Sequence, residues 1–513
     1  MNASKQADGI VLVSIELAPW FKITGVADLL KSIIAELARR RLKVVVICPD
    51  FGCDYKEFRF RKVFPFYTIF DETPVDLIFR RALDTNGVSY FLLEDKEFSA
   101  RTPDPQMSED LSARCWLKFC YATYLLLSGL VAGELGLRAD SWAVHIFHWQ
   151  TAPLLRLIRQ APWRDSVRTV LTADVLEKQG RFSADLFQVH EIFRSLAPQG
   201  EREVNLLRMG LDAADVVHTV SPNYARQIQH PPAGRGLEMV FRQRFAEGRL
   251  IGILNGLDPK TTDWRNIPCL RDNGLSFELD QAEIFENKQK AKAIFQELTG
   301  LPKDTSRFLI SMGHRFVKQK NFEVVARAMD GLMALKPRPQ IYLRAWPEPR
   351  VGEVEWPLWW ELSRLAKRYR HDLAFLSPFD RDPSLAAEKI YIDRFLYYAA
   401  SDLFLMPSLW EPCGLCQLEA MRYGAIPVVS SVGGLVDTVE PYQPGGRGWG
   451  FRLNDPSDPK ELIEAIRTAM DLWASQPEVW QGMVRRAMAF DSRIETTVDK
   501  YLSLLYSFEP ETV

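Results

Sequence analysis

The 513-residue chain lacks an excess of charge: 64 basic and 66 acidic residues leave a formal charge of −2. No global field draws it to nucleic acid or to an anionic membrane, so neither is expected as a partner. It is poor in cysteine. Seven are scattered along the chain, an odd number that argues against a disulfide framework and fits a reducing, cytosolic compartment. No secretory leader is expected, because Met1 to Ala7 is polar and the apolar run Ile10 to Ile15 is short and ends at Glu16. No stretch reaches the ~18 apolar residues of a membrane helix. Tyr124 to Leu137 comes nearest and is broken by Glu134. Glycine and proline, at 29 and 31, are too few for a disordered or collagen-like chain. Neither a short-period repeat nor a low-complexity tract is present.

What is there reads as α/β. At ~100–200 residues per domain, the length implies two to four domains. Ile10 to Ile15 is a strand, Ala18 to Val26 a loop, Ala27 to Arg40 a helix and Val44 to Ile47 a second strand. That is a βαβ unit, the building block of parallel sheets. Trp142 to Phe147, Val167 to Thr172, Val216 to Val220 and Leu250 to Leu254 continue the strands. Pro259 to Gly274 is polar and turn-rich and reads as an interdomain connection. A second series follows, with strands at Phe308 to Met312, Ile341 to Arg344, Leu373 to Leu376, Leu403 to Met406 and Ile426 to Ser430. Helices are expected at Asn321 to Leu335, Leu358 to Tyr369, Asp393 to Ala400 and Leu415 to Arg422. Ligands bind such sheets beyond the carboxyl ends of their strands, so the loops there hold the candidate chemistry.

Glu411-Pro412-Cys413-Gly414-Leu415 follows one buried strand and opens a helix. Unpaired backbone N–H groups at a helix start attract anions, and Gly414 lets a phosphate approach without a Cβ in the way. Glu419 adds a second carboxylate eight residues on. An acid matching the helix dipole explains the same pattern without a ligand. Arg315 and Lys320 follow the strand at Phe308 to Met312 and suit a diphosphate; a solvated basic loop is the plainer reading. Lys22 and Gly25, in the first βα loop, fit phosphate but match neither a Walker loop nor G-x-G-x-x-G. Cys413 and Cys416 form a lone C-x-x-C with no second ligand pair, so no metal site is expected, and a redox role stays open.

Together these pieces resemble bacterial glycogen synthases and plant starch synthases, the ADP-glucose-dependent family-five glycosyltransferases. The most specific stretch is MPSLWEPCGLCQLEAMRYGAIPVVSSVGGLVDTV, Met406 to Val439. TVSPNYARQIQ at Thr219 to Gln229, GILNGLD at Gly252 to Asp258 and VSIELAPWFKITGVADLL near the start are also family-like. The resemblance implies a GT-B fold, two Rossmann-like domains facing a central cleft. It implies an acceptor-glucan domain at 1–262, a nucleotide-sugar domain at 263–487 and a returning helix at 488–513, with Ile494 to Tyr506 packing on the first domain. Domain closure would bring Lys22 against the diphosphate. The implied activity is extension of an α-1,4-glucan, glycogen or starch, from ADP-glucose with retention of configuration and no cofactor. By resemblance, Lys22 contacts the nucleotide sugar, and Arg315 and Lys320 hold the diphosphate. Glu411 and Cys413 lie beside the glucose, with the amides near Gly414 and Leu415 on the leaving phosphate. Glu16 and Asn255 line the cleft, and Phe379 stacks on adenine. Glu419 falls where the family carries tyrosine.

The departures lie mostly in the first half. The family loop KTGGL is Lys22-Ile23-Thr24-Gly25-Val26 here, and the HDWH segment is Phe147-His148-Trp149-Gln150. Asp174 stands where a histidine faces the glucose. An aspartate has become histidine and a histidine aspartate at two consecutive strand ends. His148 and Asp174 are therefore expected either to exchange places as a hydrogen-bonded pair or to mark a lost catalytic contact. In the second half, Leu409-Trp410 replaces arginine and phenylalanine, Arg344 to Pro349 replaces a glycine-rich loop, and an insertion lies between Phe379 and Tyr398. Two other readings remain: a same-fold transferase with a changed donor or acceptor, and a non-catalytic glucan-binding or priming factor.

Overall fold

Valine- and isoleucine-rich runs become the central strands of two separate sheets. A computed structural model describes residues 6–22, 25–56, 58–99, 113–196, 200–279, 283–346, 356–376, 393–445 and 447–508. The chain divides into two α/β units, residues 1–256 with 494–513, and residues 257–493. Both boundaries lie six residues from the expected ones, 262 and 487. The polar stretch from Pro259 is not a connection. It folds into three short helical turns, Pro259–Thr262, Trp264–Asn266 and Pro268–Arg271, and sends Leu270 and Leu275 into the second unit's core.

The first unit contains β1 (Gly9–Val13), β2 (Lys43–Pro49), β3 (Arg61–Phe70), β4 (Thr73–Leu83), β5 (Ser89–Glu94), β6 (Trp142–Phe147), β7 (Val167–Thr172), β8 (Arg181–Ser183), β9 (Glu203–Asn205), β10 (Val216–Thr219) and β11 (Leu250–Gly252). Nine of them form one sheet in the order β11-β10-β7-β6-β1-β2-β5-β4-β3. Strands β11 through β5 run parallel, and β4 and β3 add an antiparallel hairpin. The β1, β2 and β6 runs are buried almost throughout, as parallel strands covered on both faces must be. Helix α1 (Val26–Arg39) turns Leu29, Leu30, Ile33, Ile34 and Leu37 inward at a spacing of three to four, which makes one buried face.

The segment from Ile494 returns to this unit. Helix Ile494–Lys500 runs into a π turn, Tyr501–Leu505. Thr497 Oγ1 donates to Leu254 O at 2.8 Å, Ala7 N to Tyr506 O at 3.0 Å, and Arg168 Nε to Leu505 O at 3.0 Å. Beneath them, His145 Nδ1 lies 2.7 Å from Tyr506 Oη, and its Nε2 lies 2.6 Å from Thr172 Oγ1.

The second unit holds β12 (Leu309–Arg315), β13 (Gln340–Trp346), β14 (Leu373–Leu376), β15 (Leu403–Met406), β16 (Ile426–Ser430) and β17 (Phe451–Leu453). All are parallel, in the order β14-β13-β12-β15-β16-β17. In chain order this is 3-2-1-4-5-6, the Rossmann arrangement, whose direction reverses between β12 and β15.

Candidate active site

In each unit several of the candidate residues collect where the strand order reverses. The second unit's reversal brings the loop after β12 against the loop after β15. Leu409 N donates to Gln319 O at 2.9 Å, and Gln319 Nε2 donates to Trp410 O at 2.8 Å. Asn321, at φ 56°, donates through Nδ2 to Pro407 O at 3.1 Å and Pro456 O at 2.7 Å. Asparagine tolerates that left-handed backbone better than most residues. These bonds place Lys320 against Glu411. The two form a nearly buried ion pair, and Ser408 Oγ donates to the same Glu411 oxygen at 3.1 Å. Arg315 ends β12 and is exposed. Three features therefore meet at one edge: an exposed guanidinium position, a buried ammonium and a carboxylate that holds it.

The Glu411–Leu415 loop is shaped by close backbone contacts. A Cβ on Gly433 would lie 1.8 Å from Glu411 O, and one on Gly434 would lie 2.5 Å from Cys413 O. Gly434 N donates to Glu411 O and Pro412 O, each at 3.1 Å. Gly414 has φ +77°, so its glycine is required by the backbone itself as well as by any approaching phosphate. Gln417 Nε2 returns to Gly414 O at 2.9 Å. Among the described residues, the amides of Gly414 and Leu415 donate to no protein acceptor. Cys413 and Cys416 form no disulfide, and burial with the charge of Glu419 pushes the Cys416 thiol up to about 11. A thiol held protonated in this way is a poor redox nucleophile, which disfavours Cys416 in that role.

Glu419 does not join this cluster. Both its oxygens are taken by Arg394, from Nε and Nη2 at 3.0 Å each, a bidentate pair that ties helix Arg394–Ala400 to helix Cys416–Arg422. Its offered role as a ligand carboxylate gives way to a structural one. His314 was missed by the motif reading. It is buried one residue before Arg315, with Nε2 3.1 Å from Leu405 O, and so braces β12 against β15. Burial, with the charges of Lys320 and Arg315, pulls it down to about 3 and keeps it neutral. The preceding glycine offers a partial signal: a Cβ on Gly313 would meet the Tyr397 hydroxyl at 2.4 Å. Phe379 lies outside the described residues.

In the first unit the order reverses between β1 and β6, with β7 next to β6. Glu16 follows β1, His148 follows β6, and Asp174 follows β7. Glu16 is fully buried, and His148 Nε2 lies 3.0 Å from its Oε1. The expected hydrogen bond between His148 and Asp174 is not formed; His148 takes Glu16 as its partner, and Asp174 acts on it through charge. Burial opposes the charge of His148, but the Glu16 ion pair and the Asp174 carboxylate raise it above the ordinary histidine range. Asp174 is raised by burial and by Glu16, and lowered by His148 and the N–H groups of Asp174 and Val175. His148 sits at φ 71°, a left-handed backbone costing about 1–3 kcal/mol in a non-glycine residue. The Thr151 hydroxyl donates to Phe147 O at 2.5 Å, with His148 O at 3.2 Å, and helps hold that turn.

Asn255 follows β11 on the same edge of the sheet, and its Oδ1 is buried with no partner among the described residues. Lys22 is half-exposed and paired with Asp28. Gly25 caps α1 at φ −68°, and a Cβ there would meet nothing within 4 Å. The protein itself does not need glycine at 25. Ile23 and Thr24, which carry the altered loop, lie outside the described residues.

Residues 9–243 match the family model described as the starch synthase catalytic domain, and residues 393–481 match glycosyl transferases group 1. A glycogen synthase of Anaeromyxobacter sp. strain Fw109-5 is 32% identical over 510 residues, spanning 97% of this chain and 99% of that protein. The chain belongs to the glycogen synthase and starch synthase family. It is thus a glucan-extending glucosyltransferase. The glycogen synthase of Lactococcus lactis is 30% identical, over 96% of this chain and 99% of the relative. Among solved structures, the catalytic domain of Arabidopsis thaliana starch synthase IV, bound to ADP and acarbose, superposes with a TM-score of 0.75. Identity there is 24%, over 97% of this chain and 98% of that one. A sucrose-phosphate synthase from Thermosynechococcus elongatus gives 0.57 at 17% identity, over 96% and 97%. The glucosyltransferase thus has the GT-B fold. Among its described residues, no helix is long and apolar enough to cross a membrane.

Proposed function

We propose that this glucosyltransferase extends an α-1,4-glucan from ADP-glucose with retention of configuration, the first unit taking the glucan and the second the nucleotide sugar. The observation that carries this reading is the Lys320–Glu411 pair beside Arg315 at the β12/β15 reversal. Transfer breaks the bond between glucose C1 and the diphosphate oxygen and forms one from C1 to an acceptor hydroxyl. Negative charge grows on the departing diphosphate and positive charge on the sugar. Preorganised cations and amides aimed at the developing charge are commonly the largest contribution to such catalysis. Arg315, Lys320 and the Gly414 and Leu415 amides meet that need without a metal or other cofactor.

Glu411 is engaged by Lys320 and Ser408, so it fixes the ammonium and does not act as a covalent nucleophile. The acceptor hydroxyl attacks from the leaving group's own face, and its proton passes to the departing phosphate. Seven cysteines, none in a disulfide among the described residues, accord with a cytosolic setting.

The test is transfer of labelled glucose from ADP-glucose to glycogen, with Glu411→Ala as control. Turnover that the substitution abolishes supports the reading. Turnover from UDP-glucose alone would move the donor assignment. Glucan binding without transfer from either donor would make the protein a scaffold.

A further inference from the structure

Three titratable side chains stand on three adjacent strand ends of the first unit: Glu16 after β1, His148 after β6 and Asp174 after β7. His148 is the middle member. Its side chain is 9% exposed, and Nε2, at ion-pair distance from Glu16, has no other partner among the described residues. Its left-handed backbone, in a turn braced by the Thr151 hydroxyl, sets where the side chain leaves the chain. The strand end at Asp174 is equally fixed. Ala173 N donates to His218 O at 2.8 Å, and Thr219 Oγ1 donates to Ala173 O at 2.7 Å.

The other titratable groups facing this cluster are Cys48, toward Glu16, and Tyr224, toward Asp174. Burial raises both, so neither adds charge near neutral pH. Near neutral pH, two carboxyl groups beside one imidazole give the edge no net positive charge. An anionic ligand is repelled there. A neutral polyol fits, because its hydroxyls donate to carboxylates and accept from an imidazole N–H in charge-assisted hydrogen bonds.

We propose that Glu16, His148 and Asp174 work as one charge-coupled unit, with His148 the positioning residue that sets both carboxylates to receive hydroxyl groups of a neutral sugar chain. This rests on the reading that the first unit takes the glucan. It goes beyond that reading by making the altered residues mutually dependent and not two separate losses.

Calorimetric binding of maltotetraose to the full chain, without nucleotide, tests it through His148→Asn, Asp174→Asn and the double variant. Asparagine tolerates the left-handed position, so the backbone at 148 is retained. Each single change is expected to weaken binding about tenfold, and the double variant no more than about threefold beyond the weaker single. Losses that multiply, or no loss, overturn the coupling. So does a wild type that binds no maltotetraose.

If a variant fails to fold, the wild-type His148 ring is followed by proton NMR against pH and compared with Glu16→Gln. The ring's midpoint is expected to fall in Glu16→Gln, and an unchanged midpoint overturns the proposal. Binding with intact coupling but no transfer would sink the donor reading and leave this one standing.

Discussion

Lys320 and Glu411 form a nearly buried ion pair across the β12/β15 reversal, joining two loops separated by ninety-one positions in the chain. Removing one partner of such a pair leaves a buried charge unmatched, which typically costs about 3–5 kcal/mol. Lys320→Met is therefore expected to lower both stability and glucosyl transfer. Lys320→Met with Glu411→Leu should regain most of the stability, read by chemical denaturation, while transfer stays lost. A double variant no more stable than the single would show that the pair is not the linkage described.

Two glycines of this chain should respond in opposite ways to alanine. Gly25→Ala meets open space at an ordinary helical φ, so stability should change by less than about 0.5 kcal/mol while transfer falls. Gly433→Ala places a methyl against Glu411 O at φ +45° and should cost about 3 kcal/mol or more. Thermal unfolding beside labelled-glucose transfer separates the two cases.

His218 and His314 are buried, and both are pulled down to about 3, His218 by burial and His314 by burial and neighbouring cations. In the unfolded chain each titrates near ~6.5. Their stabilisation is thus complete above about pH 6.5 and is lost as pH falls through the folded values. Between these limits, stability should fall by about 1.4 kcal/mol per pH unit for each histidine. Denaturation midpoints of His218→Asn against wild type, from pH 7 to pH 4, should show a shallower acid slope in the variant.

Lys288 is buried in the second unit and donates to Ala399 O at 3.1 Å, Ser401 O at 2.8 Å and Tyr423 O at 3.1 Å. Lys288→Met keeps the stem and strands three carbonyls, at about 1–3 kcal/mol for a buried unsatisfied group. The expected outcome is clear destabilisation without a change in donor affinity, measured by denaturation and nucleotide titration.

Some buried strands were legible in the chain to the residue, while β1, β2, β12 and β13 start or stop one to three residues from their expected bounds. Trp142–Phe147, Val167–Thr172, Leu403–Met406 and Ile426–Ser430 are short, mostly apolar runs bounded by turns. The β3–β4 hairpin was not, because its turn is Asp71-Glu72, both at positive φ with neither glycine nor asparagine to announce it. The Ala113–Val131 helix is apolar nearly all round, so it carries no one-sided period. At the site, loops after strands were readable by position. Which side chains then pair is a tertiary outcome, and so His148 turned to Glu16, Glu419 to Arg394, and His314 went unnoticed.

The first unit's sheet is closed by residues at the far end of the chain, where Tyr506 meets His145 and Ala7. On the ribosome, domains generally fold as units, the earlier one first. Here the second unit can finish first, because all of its residues, 257–493, emerge before residue 494. The amino-terminal half must wait for the segment from Ile494 onward before its buried histidine finds its tyrosine. A nascent chain stalled just short of Ile494 would carry one finished half and one still open.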